Sequence, residues 1–114
     1  MKSLVNKPWG TYEIIDQGKN YLVKKILVKT DGKLSLQSHN NRHEHWTVVS
    51  GVAEVSLNEK KIQLESNQSI QIPKKSKHSL ENKHKEDLII IEVWYGENLS
   101  EEDIIRYEDK YGRV

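Results

Sequence analysis

The stretch LSLQSHNNRHEHW, residues 34–46, holds three of the chain's five histidines and a glutamate. Imidazoles and a carboxylate that converge in space make a divalent-metal site, whereas mere closeness in sequence does not. The chain has no cysteine, which removes disulfides, zinc fingers and thiol catalysis together. Any metal therefore falls to His, Glu, Asp or amide ligands. Gln37 and His39 are two apart and share a face of an extended chain. The polar run Asn40-Asn41-Arg42-His43 reads as a turn that resets the parity. Beyond it Glu44 shares a face with Trp46 and Val48, and His45 shares the other with Thr47 and Val49. Both faces carry apolar members, so parity alone leaves open which of them points inward.

The elements that must position these residues are short strands separated by polar turns. Strands are expected at 11–15, 21–30, 34–39, 44–50, 52–57, 61–65, 69–72, 78–81 and 88–95, with a hairpin turn at Asn58-Glu59-Lys60. About nine strands at such spacing signal an all-β sandwich or barrel. The tail reads differently. Ser100 before Glu101, Glu102 and Asp103 offers an N-cap and a negative first turn. That predicts a short C-terminal helix through Ile104, Ile105 and 107–111, stopped by Gly112.

The 114 residues fit a single domain, 1–114, with one core. Phe is absent, so that core rests on Val, Ile, Leu, three Trp and five Tyr. A balance of 18 basic to 17 acidic residues argues against nucleic acid as a partner. The longest apolar run, 88–93, is interrupted by Glu92 and is too short to span a bilayer, so no membrane role is expected. MKSLVNKPWG has no signal-peptide core, which points to a cytoplasmic protein.

Gln37-x-His39-x4-Glu44-x6-Gly51 resembles the first cupin motif, with Gln37 in the place of its first His. Pro73-x-Lys75-x2-His78-x3-Asn82 resembles the second, in the expected order. KPWGTYE at 7–13, the 34–55 and 73–82 stretches, and DIIRYEDKYGR near the end are similar to one subfamily. It is the type II mannose-6-phosphate isomerase cupin, usually the C-terminal domain of bifunctional mannose-1-phosphate guanylyltransferases. The resemblance implies a double-stranded β-helix (a jelly-roll barrel) with one divalent metal in its mouth. The ligands it implies are Gln37, His39, Glu44 and His78. Zinc is the first expectation, and the same donors suit Mn, Co, Ni or Fe. The chain departs from the family at Asn40 and Asn41, where consecutive His are typical, at Lys7, where Arg is typical, and at Lys75, where Gly is usual.

The implied reaction moves a proton between C1 and C2 of a phosphosugar through an enediol. It needs oxyanion stabilisation, a proton carrier and a phosphate clamp. Lys24 alternates with Leu22, Ile26 and Val28, so it faces the interior as a candidate acid, base or substrate ligand. Arg42, in the loop beside the metal, is the first candidate for the phosphate and a catalytic role, with Arg106 and Arg113 behind it. Rival readings are a non-catalytic sugar-phosphate-binding module and a metal-dependent dioxygenase. The chain shows no Gly-rich nucleotide loop and is not expected to make GDP-mannose. Leu4, Val5, Trp9 and Tyr12 are expected to reach a partner subunit in a homodimer.

Overall fold

The computed structural model describes residues 4–114. Eleven strands run in chain order: β1 (Leu4–Lys7), β2 (Gly10–Gly18), β3 (Tyr21–Val28), β4 (Leu36–Ser38), β5 (His43–Ser50), β6 (Ala53–Leu57), β7 (Lys60–Leu64), β8 (Ser69–Ile72), β9 (His78–Glu81), β10 (Leu88–Tyr95) and β11 (Ile105–Glu108). They form two antiparallel sheets, ordered β1-β2-β3-β10-β5-β8 and β11-β4-β9-β6-β7. This is the expected all-β jelly-roll. No helix long and apolar enough to cross a membrane occurs among the described residues.

Period-2 alternation decides each face. β10 buries Leu88, Ile90, Glu92 and Trp94 and turns Ile89, Ile91, Val93 and Tyr95 outward. β5 buries Glu44, Trp46 and Val48, so the parity that sequence left open is settled in favour of Glu44. Trp46 and Trp94 are 2% and 1% exposed. Without Phe, these indoles supply much of the core volume, and truncating either to Ala costs roughly 3–5 kcal/mol. The hairpin at Asn58 and Glu59 has both residues at positive φ, as a tight two-residue turn requires.

Two motif residues are structural. Gly51 has φ +87°, and a Cβ there would meet Asp87 O at 2.7 Å. Asn82 is fully buried; its Nδ2 donates to Val28 O and Glu86 O, and its Oδ1 accepts from His84 N.

The tail corrects one expectation. Ser100 does cap a turn: its Oγ accepts from Glu102 N, and its carbonyl accepts from Asp103 N. The chain then leaves the turn and extends as β11 along β4, pairing Arg106 with Gln37 and Ile105 with Ser38. Ile104, Ile105 and Tyr107 are strand formers, and β4 would otherwise be an open edge, so pairing outweighs the local helix signal. The N-terminal expectation also shifts. Trp9 is buried in this chain's own core and Tyr12 packs against it, while Leu4 stays 60% exposed.

Candidate metal centre and cavity

His39, Glu44 and His78 come together in the barrel mouth, each buried, with one potential ligand atom from each lying within 4.8 Å of the others. Backbone carbonyls fix both imidazoles. His39 Nδ1 lies 2.7 Å from Asp103 O, and His78 Nδ1 lies 3.0 Å from Ser76 O. A carbonyl only accepts, so each Nδ1 carries the proton and each Nε2 keeps a lone pair. Lys75, at φ +66° in the motif position where Gly is usual, donates its N–H to His39 O at 2.7 Å. One turn, Pro73 to Ser76, thus holds both histidines.

Gln37 sits directly across from His78 in the β4–β9 pairing, on the same face. Its Nε2 donates to Ser35 O and Ser35 Oγ, which leaves the amide oxygen as its free acceptor. Two Nε2 lone pairs, a carboxylate and an amide oxygen are a donor set that fits a divalent first-row metal. Asn40 and Asn41, the family departures, are both exposed, and their backbone N–H groups bind the Asp103 carboxylate. They stand outside the cluster. His43 is exposed, His45 lies on the outer sheet face, and His84 pairs with Glu54, so none of the three joins it.

Arg42, read from the sequence as a phosphate clamp in the loop beside the metal, is buried against the group itself. It is 5% exposed and stacks 3.4 Å from the Trp94 ring centroid. Its Nε donates to Glu44 Oε2 at 2.7 Å, its Nη1 to Ser100 O, and its Nη2 lies 3.2 Å from His39 Nε2. The guanidinium is therefore spent inside the cluster. Burial alone would raise the Glu44 carboxyl, but the Arg42 guanidinium holds it below the usual range. Burial pulls His39 down to about 4 and also lowers His78, so both are neutral at pH 7.

The cluster opens into a cavity lined by Gln37, Glu44, His78, Lys24, Glu92 and Arg106 among others, with Lys7 and Arg113 also on its walls. Lys24 is buried as expected; its Nζ is 2.6 Å from Glu101 and lies over the Tyr12 and Trp94 rings at 4.0 and 4.2 Å. Arg106 Nε is buried and has no hydrogen-bond partner among the described residues. Arg113 is held by Asp109.

Sequence reasoning missed Glu92. It is 5% exposed, faces Lys24 across β3 and Trp46 across β5, and accepts a short hydrogen bond from Trp94 Nε1. Burial and the Glu44 charge push its carboxyl up to about 8, against the pull of Lys24. The available signal was parity: in the 88–95 run Glu92 alternates with Leu88, Ile90 and Trp94 on the inward face. Asp103 and Ser100, which clamp the 39–42 loop, were read only as helix-start residues.

Residues 1–109 match the family described as mannose-6-phosphate isomerase C-terminal. The chain is 50% identical over 110 residues to xanthan biosynthesis protein XanB of Xanthomonas campestris, covering 96% of this chain and 24% of that protein. It is 49% identical over 110 residues to mannose-1-phosphate guanylyltransferase ManC of Salmonella typhimurium, covering 96% of this chain and 23% of that protein. The chain spans about a quarter of the length of these curated relatives. Among solved structures, a Klebsiella pneumoniae protein described as having a double-stranded β-helix domain superposes with a TM-score of 0.73 at 18% identity. That likeness covers 84% of this chain and 77% of the other, and it establishes the fold as a double-stranded β-helix.

Proposed function

The chain belongs to the mannose-6-phosphate isomerase C-terminal family, and we propose that it is a metal-dependent isomerase interconverting mannose 6-phosphate and fructose 6-phosphate. One observation carries this reading: a single cavity is lined both by Gln37, Glu44 and His78 and by the cations Lys7, Arg106 and Arg113. Such a cavity suits a ligand with hydroxyl and carbonyl oxygens near one group and a phosphate near the other.

His39, Glu44, His78 and Gln37 would hold the metal, with zinc the first candidate. Bound there, a divalent cation supplies a Lewis acid for the sugar's oxygens. Arg42 orients Glu44 and keeps it ionised. Arg106, whose Nε lacks a partner, is the first phosphate ligand, and Arg113 and Lys7 add positive charge beside it. Lys24, paired with Glu101, adds a further positive charge to the same lining. By analogy with relatives named for xanthan biosynthesis and for mannose-1-phosphate guanylyltransferase, the product would feed nucleotide-sugar and polysaccharide formation.

The test is elemental analysis followed by a coupled assay. About one divalent metal per chain is expected, lost in His39→Ala and His78→Ala and retained in His43→Ala and His84→Ala. Fructose 6-phosphate should form from mannose 6-phosphate and stop on chelation. Metal-loaded protein that binds mannose 6-phosphate and forms no product is instead a sugar-phosphate-binding module.

A cytoplasmic homodimer belongs to the same proposal. The outer face of the six-stranded sheet carries half-buried Val23, Ile91 and Val93 beside exposed Val49 and Tyr95, an apolar surface a second copy would cover. Light scattering should give twice the 13.3 kDa chain mass; a monomer at micromolar concentration rejects the dimer.

A further inference from the structure

We propose that Glu92 is the catalytic residue that carries the proton between C2 and C1 of the sugar phosphate. The inference rests on the isomerase reading and adds the group that reading leaves unassigned.

Three carboxylates line the cavity: Glu44, Glu92 and Glu101. Glu44 is committed. One oxygen accepts from Arg42 and the other from Trp46, and the residue belongs to the His39–Glu44–His78 group. Glu101 is also committed, to the Lys24 ammonium, and its side chain is 47% exposed on the tail. An exposed, ion-paired carboxylate is a poor shuttle, because the Lys24 ammonium occupies both of its oxygens. Glu92 differs on each count. It is 5% exposed, and it lies outside the convergent metal group. Only its Oε1 is held, by the Trp94 indole, and its second oxygen has no hydrogen-bond partner among the described residues. The β10 pairings place it between Lys24 on β3 and Trp46 on β5, on the inward face and one strand away from Glu44. One oxygen is thus fixed for orientation and the other is left for chemistry, on a residue buried in the cavity wall.

The reaction requires one group that takes a proton from carbon and returns it one carbon away. The ionised form of Glu92, which burial and the Glu44 charge make the minor form at pH 7, takes the proton from C2. The C2–H electron pair becomes the C1=C2 bond, and the C1 carbonyl pair moves onto O1. The O2 hydroxyl proton passes to O1, the O2 pair forms the C2 carbonyl, and the C1=C2 pair takes the proton back from the Glu92 carboxyl at C1. Every atom and electron is accounted for, Glu92 ends as it began, and no co-reactant is consumed. Lys24, Arg42 and Glu44 surround Glu92 and set its charge without replacing it, because their polar atoms are already engaged with Glu101, Glu44 and Trp46.

The test compares wild type with Glu92→Gln, both metal-loaded, in D2O with mannose 6-phosphate. Glutamine preserves size and the hydrogen bond from Trp94 and cannot carry the proton. A fall in kcat of roughly a hundred- to ten-thousand-fold is expected, with KM and metal content unchanged and deuterium entry at carbon lost in parallel. Glu92→Asp, which withdraws the carboxyl by one methylene, should retain part of the rate and the exchange, and it serves if the Gln variant fails to fold. A Gln variant that isomerises within threefold of an active wild type overturns the Glu92 role alone. A wild type that binds mannose 6-phosphate but neither isomerises nor exchanges overturns the isomerase reading and the Glu92 role with it.

Discussion

Glu44 and Glu92 stand on neighbouring antiparallel strands, and each accepts a hydrogen bond from the indole of the tryptophan two residues on. The register crosses them, so that Glu44 faces Trp94 and Glu92 faces Trp46. Two Glu-x-Trp units are therefore built almost alike, at 4% and 5% exposure. Their chemistry diverges because of what touches the free oxygen. Glu44 has the Arg42 guanidinium and stays ionised, while Glu92 has burial and a like charge nearby and rises to about 8. Burial costs both residues the same kind of desolvation; the local cations decide which keeps its charge. Two carboxyls driven apart by their surroundings are a recurring basis for dividing labour within one site.

The largest expected effect separates the two units by metal. Glu44→Gln should lose most bound metal and, with it, at least a thousandfold in turnover, because a buried carboxylate ligand becomes a neutral amide. Glu92→Gln should keep about one metal per chain. Metal loss in both variants, measured by elemental analysis after desalting, would show that Glu92 is a ligand and erase the distinction.

Next in size is the cation that makes the difference. Arg42→Met leaves Glu44 buried without its main partner and should destabilise the metal-free chain by roughly 3–5 kcal/mol. A bound divalent metal should restore much of that loss. Denaturant titration with and without metal reads both numbers, and an unchanged metal-free midpoint would mean that Arg42 does not hold Glu44 ionised.

The pH dependence of the metal-free chain sharpens the contrast further. His39 titrates at about 4 in the folded chain, against an ordinary 6.5. The unfolded chain binds that proton first, so stability falls as pH drops from 6.5 toward 4, by up to about 3 kcal/mol. Glu92 runs the other way. The folded chain keeps its proton up to about 8 while the unfolded chain releases it near 4.5, so stability falls as pH rises through that window. Stability curves of chelated protein from pH 4 to 9 should show the acid limb flattened in His39→Gln and the alkaline limb flattened in Glu92→Gln. Identical curves for wild type and both variants would refute these environments.

The smallest expected effect is on the indoles. Trp46→Phe and Trp94→Phe each remove one donor from a buried carboxyl and should cost about 1–3 kcal/mol. The loss should be greater at Trp46, whose partner is charged. Equal losses would say that the two carboxyls carry the same charge.

What the sequence made legible follows from this chemistry. Gln37, His39, Glu44 and His78 were picked out by the resemblance to the two cupin motifs, which Gly51 and Asn82 also mark, because parity alone left the inward face open; the structure brings His39, Glu44 and His78 together and sets Gln37 across from His78. The strands of β3 and β10 were readable from alternation. Glu92 was not, because one acidic residue in an apolar run looks like an interruption until parity places it on the inner face. Arg42 was read as a phosphate clamp in the loop beside the metal, because a loop position says nothing about the Ser100–Asp103 segment that folds over it. β11 was misjudged for a similar reason. Its strand pairing depends on the β4 edge, which lies far away in sequence, whereas the capping signal at Ser100 is local and real but extends for only one turn. β1 was passed over because four residues before Pro8 carry too little pattern.

The central claim is that the metal group and the cationic lining of one cavity act together on a phosphosugar. Proton NMR of mannose 6-phosphate in D2O with the metal-loaded wild-type chain tests it most directly. The account predicts that fructose 6-phosphate appears, and that a chelator stops it. Mannose 6-phosphate that remains unconverted and undeuterated, while its line broadening shows that it is bound, would contradict the account.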